Sequence, residues 1–456
     1  MLRALIMPGP FTRAYWNAFT LWQARGEKRL PYRPLAEILA VQSRRVRAMV
    51  AHAYREVPFY RDAMNERGLK PADFETAADL AKLPLIDARV YFEQQPRFQA
   101  DSFAQRPGLT IDSSGTSGRA KQLRYEARAL FLAMAQGHRQ RIVYSRFWGK
   151  LLGYREMRFE RSGGMSSQIR RFYESHSWTP ARMDLKRRTS PVGGVSVEKA
   201  VEGLNEFRPD IVTGYGSYIG VLFREARRRK LEVYRPKLIA YGGDRMADAD
   251  RVLLEQGYGI PVVSTYQCAE ALRIGFFCEE RRGFHLSLDA VAVRLVDDQG
   301  RDAEPGAPGQ VVISNLTNRA TVFLNYRLGD VAAPGQGPCP CGRTLPMIED
   351  LKGRNDDLLW LADGRPLHAL AAMPYLQAVA GVVQVQIVQH ARRRFTVRAV
   401  GEAGIQRDES AAGLVQALRS KAGDDVQVCV DWVETIPAES NGKVKAVISE
   451  IEGTPA

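Results

Sequence analysis

Thiols and imidazoles are scarce in this chain, with five cysteines and six histidines among 456 residues. Five unevenly spaced cysteines make no regular disulfide framework, so stability must come from a packed core, and the length allows two or three domains. No run of 18 apolar residues occurs, which excludes a transmembrane segment of the helical kind. The stretch "MLRALIMPGPFTRAYW" has too short an apolar run for a signal segment, and Pro8 and Pro10 break it. Arg3, Arg13, Trp16 and Trp22 are compatible with contact to a membrane surface, but a packed helix accounts for them better. Acidic residues are in deficit: 51 Asp and Glu against 65 Lys and Arg, a formal charge of +14. Such a surface favours anionic partners. Aromatics do not alternate with the basic clusters, and no helix-turn-helix or RNA-binding signature occurs, so nucleic acid is not expected. The expectation is a soluble, cytoplasmic protein.

What is present starts with "DSSGTSGRAKQLRY", Asp112 to Tyr125. Small hydroxyl residues and two glycines make a poor helix and a poor strand. They make a turn whose N–H groups and hydroxyls can converge on an anion. Arg119, Lys121 and Arg124 add positive charge behind it. Gly115 and Gly118 are too close for a Walker A loop, and no Gly-Lys-Ser/Thr follows. A phosphate cradle and a solvated Ser/Gly loop both fit this stretch taken alone.

Residues 33 to 70 carry apolar residues at helical spacing as far as Pro58. From 200 onward, "DIVTGYG", "KLIAYGGD" and "PVVSTYQCAE" read as strands separated by the helices "SYIGVLFREARRRK" and "ADADRVLLEQGYG". That alternation predicts an α/β fold with a parallel sheet, whose ligands bind beyond the carboxyl ends of the strands. Residues 285 to 331 turn β-rich, and the last hundred form a smaller α+β unit with a helix near 409 to 421.

Four further motifs follow the opening loop in order: "TYQCAE" (265–270), "YRLGD" (326–330), "GRNDD" (353–357) and "NGKVK" (441–445). Each alone is ordinary turn chemistry; all five in sequence are hard to explain as chance. In this order the chain resembles the adenylate-forming (acyl-CoA synthetase) superfamily. "HAYREVPFYRDAMNERGLKPADFETAADLAKLPLIDA" and "CPCGRTLP" resemble its phenylacetate–CoA ligase branch. The resemblance implies a large adenylation domain, residues 1–354, with parallel sheets and a β-rich subdomain. A small mobile C-terminal domain, 355–456, would carry the catalytic lysine.

The implied activity is ATP-dependent conversion of a carboxylic acid to an acyl-adenylate, then transfer to a phosphopantetheine thiol. The loop Ser113, Ser114, Gly115, Thr116, Ser117 and Gly118, with Thr116 central, would hold the β- and γ-phosphates. Glu270 matches the family's Mg²⁺-binding glutamate, Asp330 the residue on the ribose hydroxyls, and Arg354 a second nucleotide contact. Gly242, Gly243 and Asp244, with Tyr266, would enclose adenine. Lys443 resembles the lysine of the adenylation transition state, with Lys445 as the fallback, and Asp356 the hinge. Ala269 stands where the family has threonine, so Thr265 or Ser264 must compensate, or adenylation is slow, or the fold is degenerate. Tyr215, Gly216, Ser217, Tyr241, Gln267 and Ala269, with Tyr218 nearby, would line the acid pocket. The branch and these rings point to a small aromatic acid, a hydroxybenzoate or a phenylacetate.

Cys339 and Cys341 share one tight turn, and Cys278 and His285 belong to a hairpin upstream, together a four-ligand zinc set. Some members of the branch carry a structural zinc at similar positions. Reduced thiols without metal are the alternative, Cys268 could replace His285 as ligand, and Cys429 reads as core. The acceptor is holo-acyl carrier protein or coenzyme A. The basic clusters Arg227–Lys230 and Arg392–Arg394 favour an acidic carrier protein. A degenerate scaffold, transfer to an amine and a homodimer all stay open.

Overall fold

The computed structural model describes residues 9–103, 108–112, 121–161, 163–178, 186–192, 195–349, 351, 353–354, 358–363, 366–402, 404–436 and 445–451. Helix α1 (Pro10–Glu27) packs its Trp16 flat on Phe131, ring centroids 4.6 Å apart, and exposes Trp22. Helix α2 (Leu35–Glu56) buries Ile38, Val46, Met49, Val50 and Ala53 at helical spacing. It stops at extended Val57, because a residue before proline disfavours helical dihedrals, and α3 (Pro58–Glu66) starts afresh. Helix α4 is Ala88–Gln94 and α5 Ala127–Trp148, the latter ended by Gly149 in the left-handed region (φ 90°). The hairpin β1 (Leu109–Asp112) and β2 (Gln122–Tyr125) precedes α5.

An eight-stranded sheet is built from strands between residues 155 and 348. Its parallel part holds β3 (Arg155–Glu160), β4 (Lys186–Pro191), β5 (Ile211–Gly214), β6 (Leu238–Gly242) and β7 (Val262–Tyr266). Its antiparallel flank holds β8 (Gly275–Phe277), β9 (Phe284–Leu286) and, later, β13 (Met347–Ile348). The order is β13-β9-β8-β7-β6-β5-β3-β4. Helices α6 (Met165–His176), α7 (Val197–Phe207), α8 (Gly216–Arg228) and the short α9 (Asp248–Val252) connect the parallel strands. Strands β5 to β7 are apolar on both faces, as a sheet covered on two sides requires. A second, antiparallel sheet runs β10 (Val291–Val296), β11 (Gly309–Asn315), β12 (Tyr326–Ala332) and β14 (Gly353–Arg354).

Beyond it come the hairpin β15 (Leu358–Trp360) and β16 (Pro366–His368), then α10 (Ala369–Gln377), β17 (Val382–Ala391), β18 (Arg394–Gly401), α11 (Arg407–Ala422), β19 (Gln427–Trp432) and β20 (Val447–Ser449). The sheet β19-β18-β17-β20 shares a separate apolar cluster with Leu359, Leu376, Leu414 and Leu418. The expected division at 354/355 abuts residues 355–357, outside the described residues. One expectation is overturned here: Cys429 is not core. It lies on the edge strand β19, exposed between half-buried Val428 and Val430. Among the described residues, no helix is long and apolar enough to cross a membrane.

Candidate active site

The loop Ser113–Gly118 lies outside the described residues, as do Asp356 and Lys443. Its two ends are described: in the β1–β2 pair Asp112 stands opposite Gln122. The hairpin thereby delivers Lys121, the last residue before β2, to the carboxyl ends of the parallel strands. Lys121 Nζ donates to Glu270 Oε1 at 2.7 Å and to the Tyr326 hydroxyl at 2.6 Å. Both side chains of this ion pair are largely buried, 14% exposed for Lys121 and 7% for Glu270. Such a pair is less screened than one on the surface.

The segment Tyr266–Glu270 leaves β7 and is held from three sides. The Tyr125 hydroxyl donates to the Ala269 carbonyl at 2.6 Å, and Asn315 Nδ2 to the Glu270 carbonyl at 2.8 Å. The Tyr266 hydroxyl donates to Asp330 Oδ2 at 2.7 Å, while its ring is buried beside Phe284. In the register of β12 and β14, Asp330 stands opposite Arg354, so two motifs 24 residues apart become strand neighbours. Thr265 Oγ1 is buried and donates to the Tyr241 carbonyl at 3.2 Å; Gln267 Nε2 donates to Thr265 Oγ1 at 3.3 Å. Ser264 is buried as well. Burial pushes the Cys268 thiol well above its ordinary range, and the Glu270 charge adds to this.

The turn after β6 closes on α8. Asp244 accepts from the Gly216 N–H at 2.6 Å and from the Ser217 hydroxyl, capping the first turn of that helix. Gly243 has φ 86°, and a side chain there would crowd the Tyr215 ring at 3.2 Å. The Tyr241 ring is buried against Gly216, where a Cβ would come within 2.6 Å of it. Tyr218 packs on Phe159 with centroids 5.2 Å apart. Sequence reading gave Lys121 only as positive charge behind the loop and Tyr326 only as part of a motif, and it did not foresee that Lys121 joins Glu270 to Tyr326. The available signal was that Tyr326 opens "YRLGD" and Lys121 closes the Ser/Gly loop.

A second cluster lies on the antiparallel flank. The ligand atoms of Cys278, His285, Cys339 and Cys341 all fall within 4.8 Å of one another. Cys278 Sγ and Cys339 Sγ are 3.6 Å apart, non-bonded, and Cys341 Sγ is 3.4 Å from His285 Nε2. His285 Nδ1 faces the Leu345 carbonyl at 3.3 Å, which orients the ring and turns Nε2 toward the sulfurs. The Arg343 N–H donates to Cys341 Sγ at 3.5 Å. Burial brings the His285 imidazole down to about 4, keeping it neutral. Three soft thiols and one neutral imidazole fit tetrahedral zinc.

Residues 359–450 match the family model of the CapK C-terminal domain. A phenylacetate-coenzyme A ligase of Thermus thermophilus is 27% identical over 341 residues, 72% of each chain. A phenylacetate-coenzyme A ligase of Escherichia coli is 24% identical, over 71% of this chain and 72% of that one. Crystalline 2-hydroxyisobutyryl-CoA ligase, in its postadenylation state with R3-HIB-AMP, superposes with a TM-score of 0.73 at 20% identity. The superposition covers 93% of this chain and 92% of that one. The chain is thus similar in sequence to phenylacetate-coenzyme A ligases over about 72% of its length, and it shares the fold of 2-hydroxyisobutyryl-CoA ligase.

Proposed function

We propose that this protein is an AMP-forming ligase that activates a small aromatic acid and transfers it to a phosphopantetheine thiol. The observation that carries the proposal is the convergence of Lys121, Glu270, Tyr326, Tyr266 and Asp330 at the carboxyl ends of the sheet. In the first half-reaction the substrate carboxylate attacks the α-phosphorus of ATP and pyrophosphate leaves. In the second the thiol attacks the acyl carbonyl and AMP leaves. Both steps bring anions together, so the protein's task is alignment and charge neutralisation rather than a covalent nucleophile. Glu270 would hold Mg²⁺, which supplies charge neutralisation at the phosphates. Lys121, locked between Glu270 and Tyr326, adds a fixed cation beside that carboxylate.

Residues Ser113–Gly118, with Thr116 central, would bind the β- and γ-phosphates. Asp330, oriented by Tyr266, would take the ribose diol, and Arg354 would meet the nucleotide from the neighbouring strand. The turn Gly242, Gly243 and Asp244, with Tyr266, would enclose adenine. Lys443 would bridge carboxylate and α-phosphate, carried in by a C-terminal domain, 355–456, that swings about Asp356. Cys278, His285, Cys339 and Cys341 would hold a structural zinc that ties β8 and β9 to the turn before β13. The +14 charge supports an acyl carrier protein as acceptor, with coenzyme A the alternative.

The test is pyrophosphate release across a panel of aryl and alkyl acids, repeated with coenzyme A, holo-carrier protein and amines as acceptors. Release with an aryl acid, and thioester with a thiol, is the expected result. Lys443→Ala should nearly abolish adenylation yet leave thioester formation from a preformed adenylate. No release with any acid would favour a scaffold, and product only with amines would make this an amide-forming enzyme.

A further inference from the structure

Arg273 lies three residues beyond Glu270, and its side chain turns back onto α5. Its Nε donates to the Ala133 carbonyl at 2.7 Å, and one terminal nitrogen to Gln140 Oε1 at 3.3 Å. Both acceptors are neutral. Among the described residues no carboxylate pairs with this guanidinium, whereas neighbouring Arg139 holds both Glu27 and Asp289. Burial accordingly pulls the Arg273 pKa down. The guanidinium lies directly on the helix backbone: a Cβ at Gly137 would stand 2.8 Å from its other terminal nitrogen. A glycine inside a helix is destabilising, so its presence at that contact keeps space for the guanidinium.

Arg273 walls a small cavity with Arg139, itself neutralised by Glu27 and Asp289, and with Gln136, Gln140, Ser287, Thr265 and Gln267. Its volume is about 10 Å³, room for one water-sized group. The last two lining residues belong to the active-site strand and its exit. The cavity is thus the polar back wall of the place where an acid bound at Gln267 would end. An unneutralised guanidinium in such a wall is electrostatically incomplete, and its planar fork matches a carboxylate.

We propose that Arg273 reads the far end of the acid, and that the preferred substrate carries a second carboxylate remote from the one adenylated. The inference rests on the ligase reading of this site and narrows its substrate class. A monocarboxylic acid leaves the cation on neutral acceptors alone, whereas the second carboxylate of a diacid neutralises it. Arg273 acts here as a specificity residue and takes no part in the chemistry.

The experiment is calorimetric titration of the full chain, without ATP, using pairs that differ only in the second carboxylate: succinate and butanoate, adipate and hexanoate, terephthalate and benzoate. At least one diacid should bind roughly 10- to 100-fold tighter than its partner, the range expected when a charged group gains its counterpart. Arg273→Leu should erase that margin, Arg273→Lys should retain part of it, and Gly137→Ala should shrink it by displacing the guanidinium. The last two variants keep the cation and serve should the leucine variant fail to fold. The inference is overturned if no diacid outbinds its partner, or if the margin survives in the leucine variant. Pyrophosphate release in parallel separates the two readings: diacid binding through Arg273 without any release would refute the ligase and not the site.

Discussion

At the residue scale, Lys121 is the group whose surroundings say most about the chemistry. Its ammonium is shared by a carboxylate and a phenol, and the phenol is the first residue of the strand that also carries Asp330. Tyr326 therefore links the Lys121–Glu270 pair to the strand that carries Asp330 through one hydrogen bond. Tyr326→Phe should lower kcat for pyrophosphate release by roughly 10-fold, the value of one hydrogen bond to a charged group, without a comparable change in KM for the acid. Lys121→Met should cost more, about 100-fold, because it strips the buried Glu270 of its counter-charge. A pyrophosphate assay with unfolding curves on the same variants checks both. Loss of activity in step with loss of stability would assign the two residues to architecture instead.

At the element scale, β3 and β4 form an edge that sequence patterning does not predict. "REMRFE" and "KRRTSP" read as basic clusters, because what makes them strands is a pairing across 31 residues. Glu156 accepts from Arg187 Nη2 at 2.6 Å, Arg158 Nη2 at 2.7 Å and the Thr213 hydroxyl at 2.8 Å. Burial alone would raise its carboxyl, but the two guanidiniums outweigh that and hold it far below the ordinary 4.5. A depressed carboxyl contributes stability above its unfolded pKa, which is lost as pH falls through the folded value. Glu156→Gln should therefore cost about 3–5 kcal/mol at neutral pH and flatten the loss of stability below about pH 4.5. Urea unfolding at neutral and acid pH measures this.

The strands β5 to β7 and helix α8 were legible because their apolar runs and periodicity are local. The order of the five motifs was legible as well. The contacts of Lys121 with Tyr326 and of Tyr266 with Asp330 were not, since each joins segments 64 or more residues apart with no local signature. Cys429 misled for the reverse reason: "QVCVDWV" alternates like a half-buried strand, and the alternation cannot say which face is covered. The four metal-type ligands were readable as a set from spacing, and the hairpin β8–β9 supplies the geometry. Elemental analysis should find one zinc per chain. A strong chelator should lower the melting temperature, with Cys339→Ser doing the same; metal-free protein of unchanged stability and turnover would remove zinc from the description.

At the scale of the whole molecule, the C-terminal module touches the large sheet's helices through Arg224, which donates to Gln384 at 2.8 Å and to Asp250 at 2.6 Å. In the run Arg227–Lys230, Arg228 and Arg229 are engaged by Glu225 and Glu198, which lowers its outward charge. The β17–β18 turn exposes Arg392, Arg393 and Arg394, with Asp425 on Arg393 at 3.0 Å. If an acidic carrier protein is the acceptor, its transfer rate should fall steeply between low and physiological salt, since exposed charges are screened beyond a Debye length of about 8–10 Å. Charge reversal at Arg392–Arg394 should raise its KM and leave transfer to coenzyme A unchanged. Efficient use of coenzyme A with no use of carrier protein would refute the electrostatic argument.

The misplaced cysteine has a practical consequence. Four of the five thiols are buried or half-buried, with burial pushing Cys268 up and Cys278 to about 12, whereas Cys429 faces solvent. Since thiolate access governs alkylation, a maleimide dye should react at Cys429 first and leave the others intact. The native sequence thus accepts a single fluorophore on the edge of its C-terminal sheet, with no substitution required. Polarisation and lifetime of that dye during turnover would report in real time whether the small module reorients between the two half-reactions.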